Sequence, residues 1–533
     1  MSSEYKVRSK IQKAMLLGNY GLAIDNLNLI LSIKPNDLDL LRTRGEAYLR
    51  IEKFEEALSD LAKVVESGSK NISVLSNFSV ALMRCKKHDS AKLILDYLLE
   101  LDPSNFDANI NLCNVYQALG RPEENLKSAM RAVEIKPNSV VAYNNLGTAF
   151  GDLDMISEAR EALRVGQQID SSYIPTAINL AQLEVRLRNY LEAASLFEKL
   201  LLLKNISPSE TELVKYYLGY CYLYQGNLSK GWDYYEYGFG SILPITALRS
   251  KRKFNQQKWN GKPIGEKTLL IWREQGLGEE IEFSTCLTDV SETGVNVIFE
   301  CDHRLVNIFQ RTFPNFTVRP ESFGEDFYPT TQDFHFQCAL GSLPRIFRRS
   351  LDSFNRQIRP LSVLPSSIEK FQQRLSEFRG KKLIGICWRS GMFSIGRNLG
   401  YTALSDWSDL LSQKDFHFIN LQYGECESEL MEMEALLGIS IVRWPDLDLK
   451  NDLENVLGLI KNLDSVVTIG TAVSSLSASC GITTYLLTTD DSLFKLGQKN
   501  TYPWYKNMIP MVAEKNAHIA EKLSLIPELL RKL

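Results

Sequence analysis

The chain reads as an all-α solenoid of paired-helix repeats followed by two doubly wound α/β lobes, and three observations predict this. Small residues and prolines recur at multiples of 34 positions between Glu4 and Asn205. A β-forming run opens through a glycine turn into a helical pattern at Thr268–Ile281, TLLIWREQGLGEEI. A second alternation of strands and helices runs from Lys381 to Pro510. The order strand, Gly-rich turn, helix lets a backbone pass close to a ligand and aims unpaired helix N–H groups at it.

With 533 residues the chain has room for about three domains. Hydrophobic residues make up 44% and charged residues 23%, the balance of a globular protein, and a formal charge of -3 argues against a polyanion-binding face. Nine cysteines are scattered with no CxxC pair, which predicts reduced, mostly buried thiols rather than a disulfide framework or zinc site. MSSEYKVRSKIQKAMLLGNY lacks the apolar centre of a signal peptide, and no apolar run approaches the roughly 18 residues of a membrane span. A cytoplasmic location is the expectation.

Ala23, Ala57, Ala91, Ala159 and Ala193 lie at multiples of 34, with Asn125 in the one slot that departs, and Pro35, Pro103 and Pro137 keep the same period. Gly45 with Tyr48, Leu112 with Tyr116, and Leu146-Gly147 with Phe150 mark the first helix of a unit. This matches the tetratricopeptide repeat, in which a small residue lets two antiparallel helices approach and a proline ends the second. Six units are expected from about Glu4 to Asn205, with a degenerate seventh around Gly219 and Tyr222. Stacked pairs leave a concave binding surface. Asn111, Asn144, Asn145 and Asn179 are candidates there for gripping an extended peptide, since a carboxamide both donates and accepts; solvated or capping roles are the alternative.

The expected division is a repeat array at 1–207, a degenerate repeat and aromatic joint at 208–253, a first lobe at 254–350, a linker at 351–380 and a second lobe at 381–533. Eight tyrosines between 216 and 237, with GWDYYEYGF and FNQQKWNGKPI, predict a glue between repeats and lobes. In the first lobe strands are expected at Thr268–Trp272, Val295–Glu300, Phe316–Val318 and Phe334–Ala339, with helices near Glu279–Val290 and Arg304–Thr312. Asp352–Arg379 reads as a charged helical crossing. The second lobe should alternate strands at Leu383–Trp388, His417–Leu421, Ser440–Val442, Ser465–Ile469 and Thr484–Leu487 with helices at Leu404–Leu411, Glu427–Leu437, Asp452–Leu463 and Ala472–Cys480. A last helix, Ala517–Leu533, is expected to pack back across the joint.

Four loops follow strand ends and should face a cleft: Arg273–Glu280, Arg389–Tyr401, Gln422–Gly424 and Gly470–Ser475. Gly276 and Gly278 form the turn, and Glu279 and Glu280 start the helix, one facing the cleft and able to take the proton of an attacking hydroxyl. Two acids favoured by a helix N-terminus fit the pattern equally. Thr471, Ala472, Val473, Ser474 and Ser475 offer an anion site with Thr471 as N-cap, against an ordinary capped helix with small residues. Arg389 and Arg397, with Ser390, Gly391, Asn398 and Tyr401 around them, suit phosphate or carboxylate groups. Gln422 and Tyr423 end the next strand, and Trp504 within YPWY could stack on a base or sugar, although packing is the commoner use of an aromatic. Asp446-Leu447-Asp448 resembles a metal-holding DxD but precedes a helix, where capping suits it better. The five histidines are dispersed and assemble no triad or metal site.

GWDYYEYGF, the W.G.P spacing at Trp259, Gly261 and Pro263, LLIWREQGLGEEIEF, CALGSLP, ICWRSG, INLQYGE and TIGTAVSSLSASCG together resemble bacterial tetratricopeptide-repeat proteins with a C-terminal GT-B-type glycosyltransferase of two Rossmann-like lobes. That group is related to heptosyltransferases and more distantly to O-GlcNAc transferase. RN..YT.L..W, PDLDLK.DLE and YPWY look most like the branch that modifies flagellin with nonulosonic acids, pseudaminic or legionaminic, carried on CMP. The resemblance implies a metal-independent protein O-glycosyltransferase serving flagellum assembly and motility. It needs no cofactor beyond the nucleotide sugar as co-substrate, and no nucleic acid or membrane insertion is implied. The family turn is usually GLGD with its aspartate the proposed base; here Glu279 stands there, one methylene longer. The competing readings are a repeat adaptor or flagellin-binding chaperone with vestigial lobes, and a transferase using a UDP- or ADP-sugar.

Overall fold

The first helix of four successive repeats is opened by a short polar side chain in strict register. In a computed structural model describing residues 3–239, 252–324, 326–390, 402–489, 495–514 and 517–533, Asp37, Asn71, Asn105 and Ser139 each accept a backbone N–H of the helix they open. Two compact units divide between Leu187 and Arg188, at the turn between the two helices of the sixth repeat. The first holds α1 (Ser3–Leu16), α2 (Tyr20–Leu31), α3 (Leu38–Arg50), α4 (Phe54–Glu66), α5 (Ile72–Arg84), α6 (His88–Leu101), α7 (Phe106–Ala118), α8 (Pro122–Ile135), α9 (Val140–Asp152), α10 (Ile156–Ile169) and α11 (Ile174–Arg186). Every alanine of the 34-residue frame is fully buried, and Asn125 takes its slot at 1% exposure. Close approach is enforced elsewhere too: a Cβ on Gly147 would stand 2.6 Å from Leu163 Cγ.

The turn between paired helices also keeps the frame. Gly18, Glu52, Lys86, Gly120, Asp154 and Arg188 all adopt positive φ, the left-handed conformation that closes a helix C-terminus. Four of these six are not glycine, so this regularity is invisible in residue type.

The second unit begins with α12 (Tyr190–Leu200), α13 (Pro208–Tyr224) and α14 (Leu228–Tyr235). Ser207 opens α13 in frame with a full capping box, but α13 runs 17 residues where α11 runs 13, so its closing turn comes late, at Gly226. That added turn is what makes the seventh repeat look degenerate. Tyr190 stacks on Tyr224 with ring centroids 4.0 Å apart, and Trp232 of α14 lies buried edge-on to Phe283 and Trp504. The tyrosine-rich segment thus packs the last repeat onto the α/β region.

The first lobe carries β1 (Gln257–Lys258), β2 (Thr268–Trp272), α15 (Leu277–Phe283), α16 (Leu287–Glu292), β3 (Asn296–Cys301), α17 (Val306–Thr312), β4 (Thr317–Pro320), β5 (Phe336–Ala339) and α18 (Leu343–Phe347), with sheet order β1-β5-β2-β3-β4. The second has α19 (Pro365–Arg374), β6 (Lys382–Cys387), α20 (Ser408–Leu411), β7 (Phe416–Asn420), α21 (Glu427–Leu437), α22 (Leu453–Ile460), β8 (Ser465–Ile469), α23 (Ala472–Ser479), β9 (Thr483–Thr489), β10 (Met508–Ala513) and α24 (Ile526–Lys532), in the order β10-β9-β8-β6-β7. Every pairing in both sheets is parallel. The chain therefore has tetratricopeptide repeats followed by two parallel five-stranded sheets, consistent with two Rossmann-like lobes.

Four expectations need correction. Ser440–Val442 makes only a single bridge, Ile419 to Val442. Met508–Ala513 is a strand despite Pro510, because β10 lies at the sheet edge, where a missing N–H is tolerated. The crossing is helical only at Leu351–Phe354, Pro365–Arg374 and Ser376–Phe378. The C-terminal helix packs on the second sheet, not across the joint: α24 begins at Ile526, with Pro527 in its first turn, after a 3-10 segment, and Ile519, Leu523, Ile526 and Leu530 join the cluster of Ile384 and Tyr485.

Candidate active site

In each parallel sheet the carboxyl ends of the strands share one edge, and the point where the strand order reverses is where sheets of this kind bind ligands. The reversal falls between β2 and β5 in the first lobe and between β6 and β8 in the second. The loop after β2 is fastened along its length. Arg273 Nε donates to Glu280 at 2.8 Å, Glu274 Oε1 accepts from Gly341 N–H at 2.9 Å, and Gln275 bonds the Tyr235 hydroxyl. The Glu274 contact ties the two loops at the reversal point to each other.

Gly276 caps α15, and a Cβ there would sit 2.7 Å from Glu279 Oε2. The half-buried Glu279 carboxylate thus folds back over the glycine turn, close enough that a side chain at 276 would displace it. Gly278 brings the first turn of α15 against α23, with a Cβ position 3.6 Å from Ala472 Cα and 3.7 Å from Ser475 Oγ. Two strand-end loops from opposite lobes meet at that contact.

Glu280 faces neither cleft nor solvent. At 1% exposure it accepts from Arg273 and from the Asp302 N–H at 2.8 Å, joining the ends of β2 and β3. Burial pushes its carboxyl up to about 7, against the Arg273 charge and the Asp302 amide. At Asp302 burial again opposes ionisation, but the bonds and charge of Arg304 prevail and hold it at about 2. The residue sequence reasoning missed is Glu282, 4% exposed, whose Oε1 accepts from Ser475 Oγ at 3.1 Å and Tyr502 Oη at 2.5 Å. Burial first, then the neighbouring Glu279 charge, push it up to about 8 against those two hydrogen bonds. The available signal was an acid enclosed by Ile281 and Phe283, both 1% exposed or less.

In the second lobe Thr471 occupies the N-cap position of α23, but its side chain does not cap; its hydroxyl lies 3.7 Å from Cys387 Sγ. Ser474 Oγ donates to Thr471 O at 2.6 Å, and Val473, Ser474 and Ser475 are buried. Ala472 is half-buried, and the N–H groups of Ala472 and Val473 have no partner within the helix. Gln422 Oε1 accepts from the N–H groups of Trp388 at 3.1 Å and Arg389 at 2.9 Å, fixing the start of the loop after β6. The Arg389 guanidinium bonds Glu429 and the Glu425 carbonyl, so it is turned along the lobe. Ser390 and Tyr423 are half-buried. Gly391, Arg397, Asn398 and Tyr401 lie outside the described residues.

Trp504 departs from the stacking expectation: it is buried at 2% exposure and packs edge-on against Phe283 and Phe354. Tyr505 bonds the Ile281 carbonyl. Asp446 pairs with Arg374 at 2.6 Å, while Asp448 accepts from the amides of Lys450 and Asn451. In the repeats Asn144 is buried and accepts from Thr176 and Asn179, which makes it a strut between α9 and α11 rather than a groove residue. Asn111, Asn145 and Asn179 are half-buried and 34 residues apart. All nine cysteines are unpaired thiols, eight of them buried. Among the described residues no helix is long and apolar enough to cross a membrane.

No family model matches the chain. It is 26% identical over 444 residues to Protein FlbA of Caulobacter vibrioides, an overlap of 80% of this chain and 72% of that one. It is 29% identical over 146 residues to RNA polymerase II-associated protein 3 of Mus musculus, covering 26% and 22%. Among solved structures, a tetratricopeptide repeat protein from Parabacteroides merdae aligns with 44% of this chain and 91% of its own at 16% identity and a TM-score of 0.39. YrrB, described as a TPR protein with an unusual peptide-binding site, aligns with 31% and 86% at 17% identity and a TM-score of 0.29. The chain is thus a tetratricopeptide-repeat protein with a C-terminal region of two parallel α/β sheets, similar over four-fifths of its length to Protein FlbA.

Proposed function

We propose that this chain is a metal-independent protein O-glycosyltransferase of the GT-B type. It moves a nonulosonic acid, pseudaminic or legionaminic, from its CMP-activated form to serine or threonine of a flagellin held by the repeats, in the cytoplasm. The observation that carries this reading is the meeting of the Gly276–Glu279 turn with the start of α23, where a Cβ on Gly278 would stand 3.6 Å from Ala472 Cα. In the reaction the acceptor oxygen bonds the anomeric carbon, the bond from that carbon to the CMP phosphate breaks, and Glu279 takes the hydroxyl proton. The amides of Ala472 and Val473 hold the departing phosphate. Glu280, enclosed and bonded, serves the scaffold.

The test is incubation of the purified protein with CMP-, UDP- and ADP-sugars and flagellin, read by intact mass. Glu279→Gln is expected to lower product formation by about 10²–10⁴-fold while CMP affinity stays unchanged; normal turnover removes the base assignment. A second reading, a flagellin-binding adaptor with vestigial lobes, draws on Arg389, whose guanidinium is taken up by Glu429. Flagellin binding without a mass gain from any sugar nucleotide selects that reading.

A further inference from the structure

Glu282 lies one helical turn beyond Glu279, and its carboxylate is enclosed by groups of the other lobe. Ser475 comes from the first turn of α23 and Tyr502 from the segment before β10, and both hydroxyls donate to the same oxygen, Oε1. Beside them Tyr505 donates to the Ile281 carbonyl at 3.1 Å, and Gly278 lies against Ala472. The other carboxylate oxygen, Oε2, is buried without a hydrogen-bond partner. An acid in such a place costs stability, because one of its oxygens is left unsatisfied, while the two bonds it does make tie groups of one lobe to the helix of the other.

We infer that Glu282 is a positioning residue: by accepting from Ser475 and Tyr502 it sets the angle and depth at which the first turn of α23 meets the Glu279 turn. The inference rests on the sugar-transfer reading of that contact. A misplacement of about 1 Å between a base and the group that holds the leaving phosphate costs on the order of a hundredfold in rate. Glu282 touches neither substrate in this arrangement; it acts through Ser475 on the amides of Ala472 and Val473.

Leucine at 282 fills a similar volume and removes the acceptor, so it separates packing from positioning. Glu282→Leu, which leaves the buried Tyr502 and Ser475 hydroxyls without their acceptor, is expected to stay folded with a lowered Tm, to bind CMP about tenfold or more weakly and to lose kcat further. Glu282→Gln, which can still accept from both hydroxyls, should restore CMP affinity to within about twofold. Tyr502→Phe and Ser475→Ala each delete one oxygen and should weaken CMP binding by about threefold or more. Each should have no further effect in the Glu282→Leu background, since coupled groups are non-additive. CMP binding by Glu282→Leu and Tyr502→Phe equal to that of the parent overturns the positioning role. Failure of the parent protein itself to bind CMP, UDP or ADP overturns the transferase reading on which it stands, and the two failures are told apart by that control.

Discussion

At residue scale the consequence of burying Glu282 is a dependence of stability on pH. Its carboxyl is pushed up to about 8 in the folded chain, while in the unfolded chain it ionises near the ordinary value of 4.5. Its contribution is therefore fully present below about pH 4.5 and is lost as pH rises toward 8, at about 1.4 kcal/mol per pH unit. Glu282→Gln cannot ionise and should lose less stability over that range. Urea denaturation of both proteins at pH 5 and pH 8 measures this, and equal losses would overturn the raised ionisation of Glu282. The turn that carries Glu279 was legible from sequence because glycine spacing announces a turn. Glu282 was not, because nothing in IEF says which neighbour encloses the acid; Ser475 and Tyr502 lie 193 and 220 residues away. Arg389 failed differently: its position on a strand-end loop was readable, but the pairing with Glu429 forty residues on was not.

Among elements, the repeat turns offer the clearest test. Glu52, Lys86 and Asp154 hold left-handed backbone that favours glycine, which Gly18 and Gly120 supply at equivalent positions. Lys86→Gly should raise stability by about 0.5–1 kcal/mol, the strain relieved exceeding the added freedom of the unfolded chain, seen as a higher denaturant midpoint. In the reverse sense Gly147→Ala should lower it by about 1–3 kcal/mol, since its Cβ would stand 2.6 Å from Leu163 Cγ. The period of 34 was legible because alanine and proline have fixed steric uses. The left-handed turns were hidden because four different non-glycine side chain types occupy them. Strands with β-branched runs, such as Ser465–Ile469, were found to the residue, whereas β10 was obscured by Pro510, whose tolerance depends on an edge position only topology supplies.

For the whole molecule, the last repeat and both lobes share one hydrophobic cluster that runs through Trp232, Phe283, Trp504 and Phe371. Trp504→Ala should cost about 3–5 kcal/mol, measured by denaturation, because the cavity opens where three elements converge. The two-lobed architecture was readable from alternating periodicity, but the extent of this shared core was not, since the aromatics that build it come from segments more than 270 residues apart. The compact units part at Leu187, while the sequence period suggests a boundary near Ser207. Tyr190 stacks on Tyr224, Phe197 on Tyr217, and Glu198 accepts from Tyr222, all within the second unit. Anyone building a chimera that grafts a foreign superhelix onto these lobes should therefore splice ahead of Tyr190. A donor array joined after Asn205 would import a mismatched shoulder beneath the tyrosines and leave the α/β half without its own keystone helix.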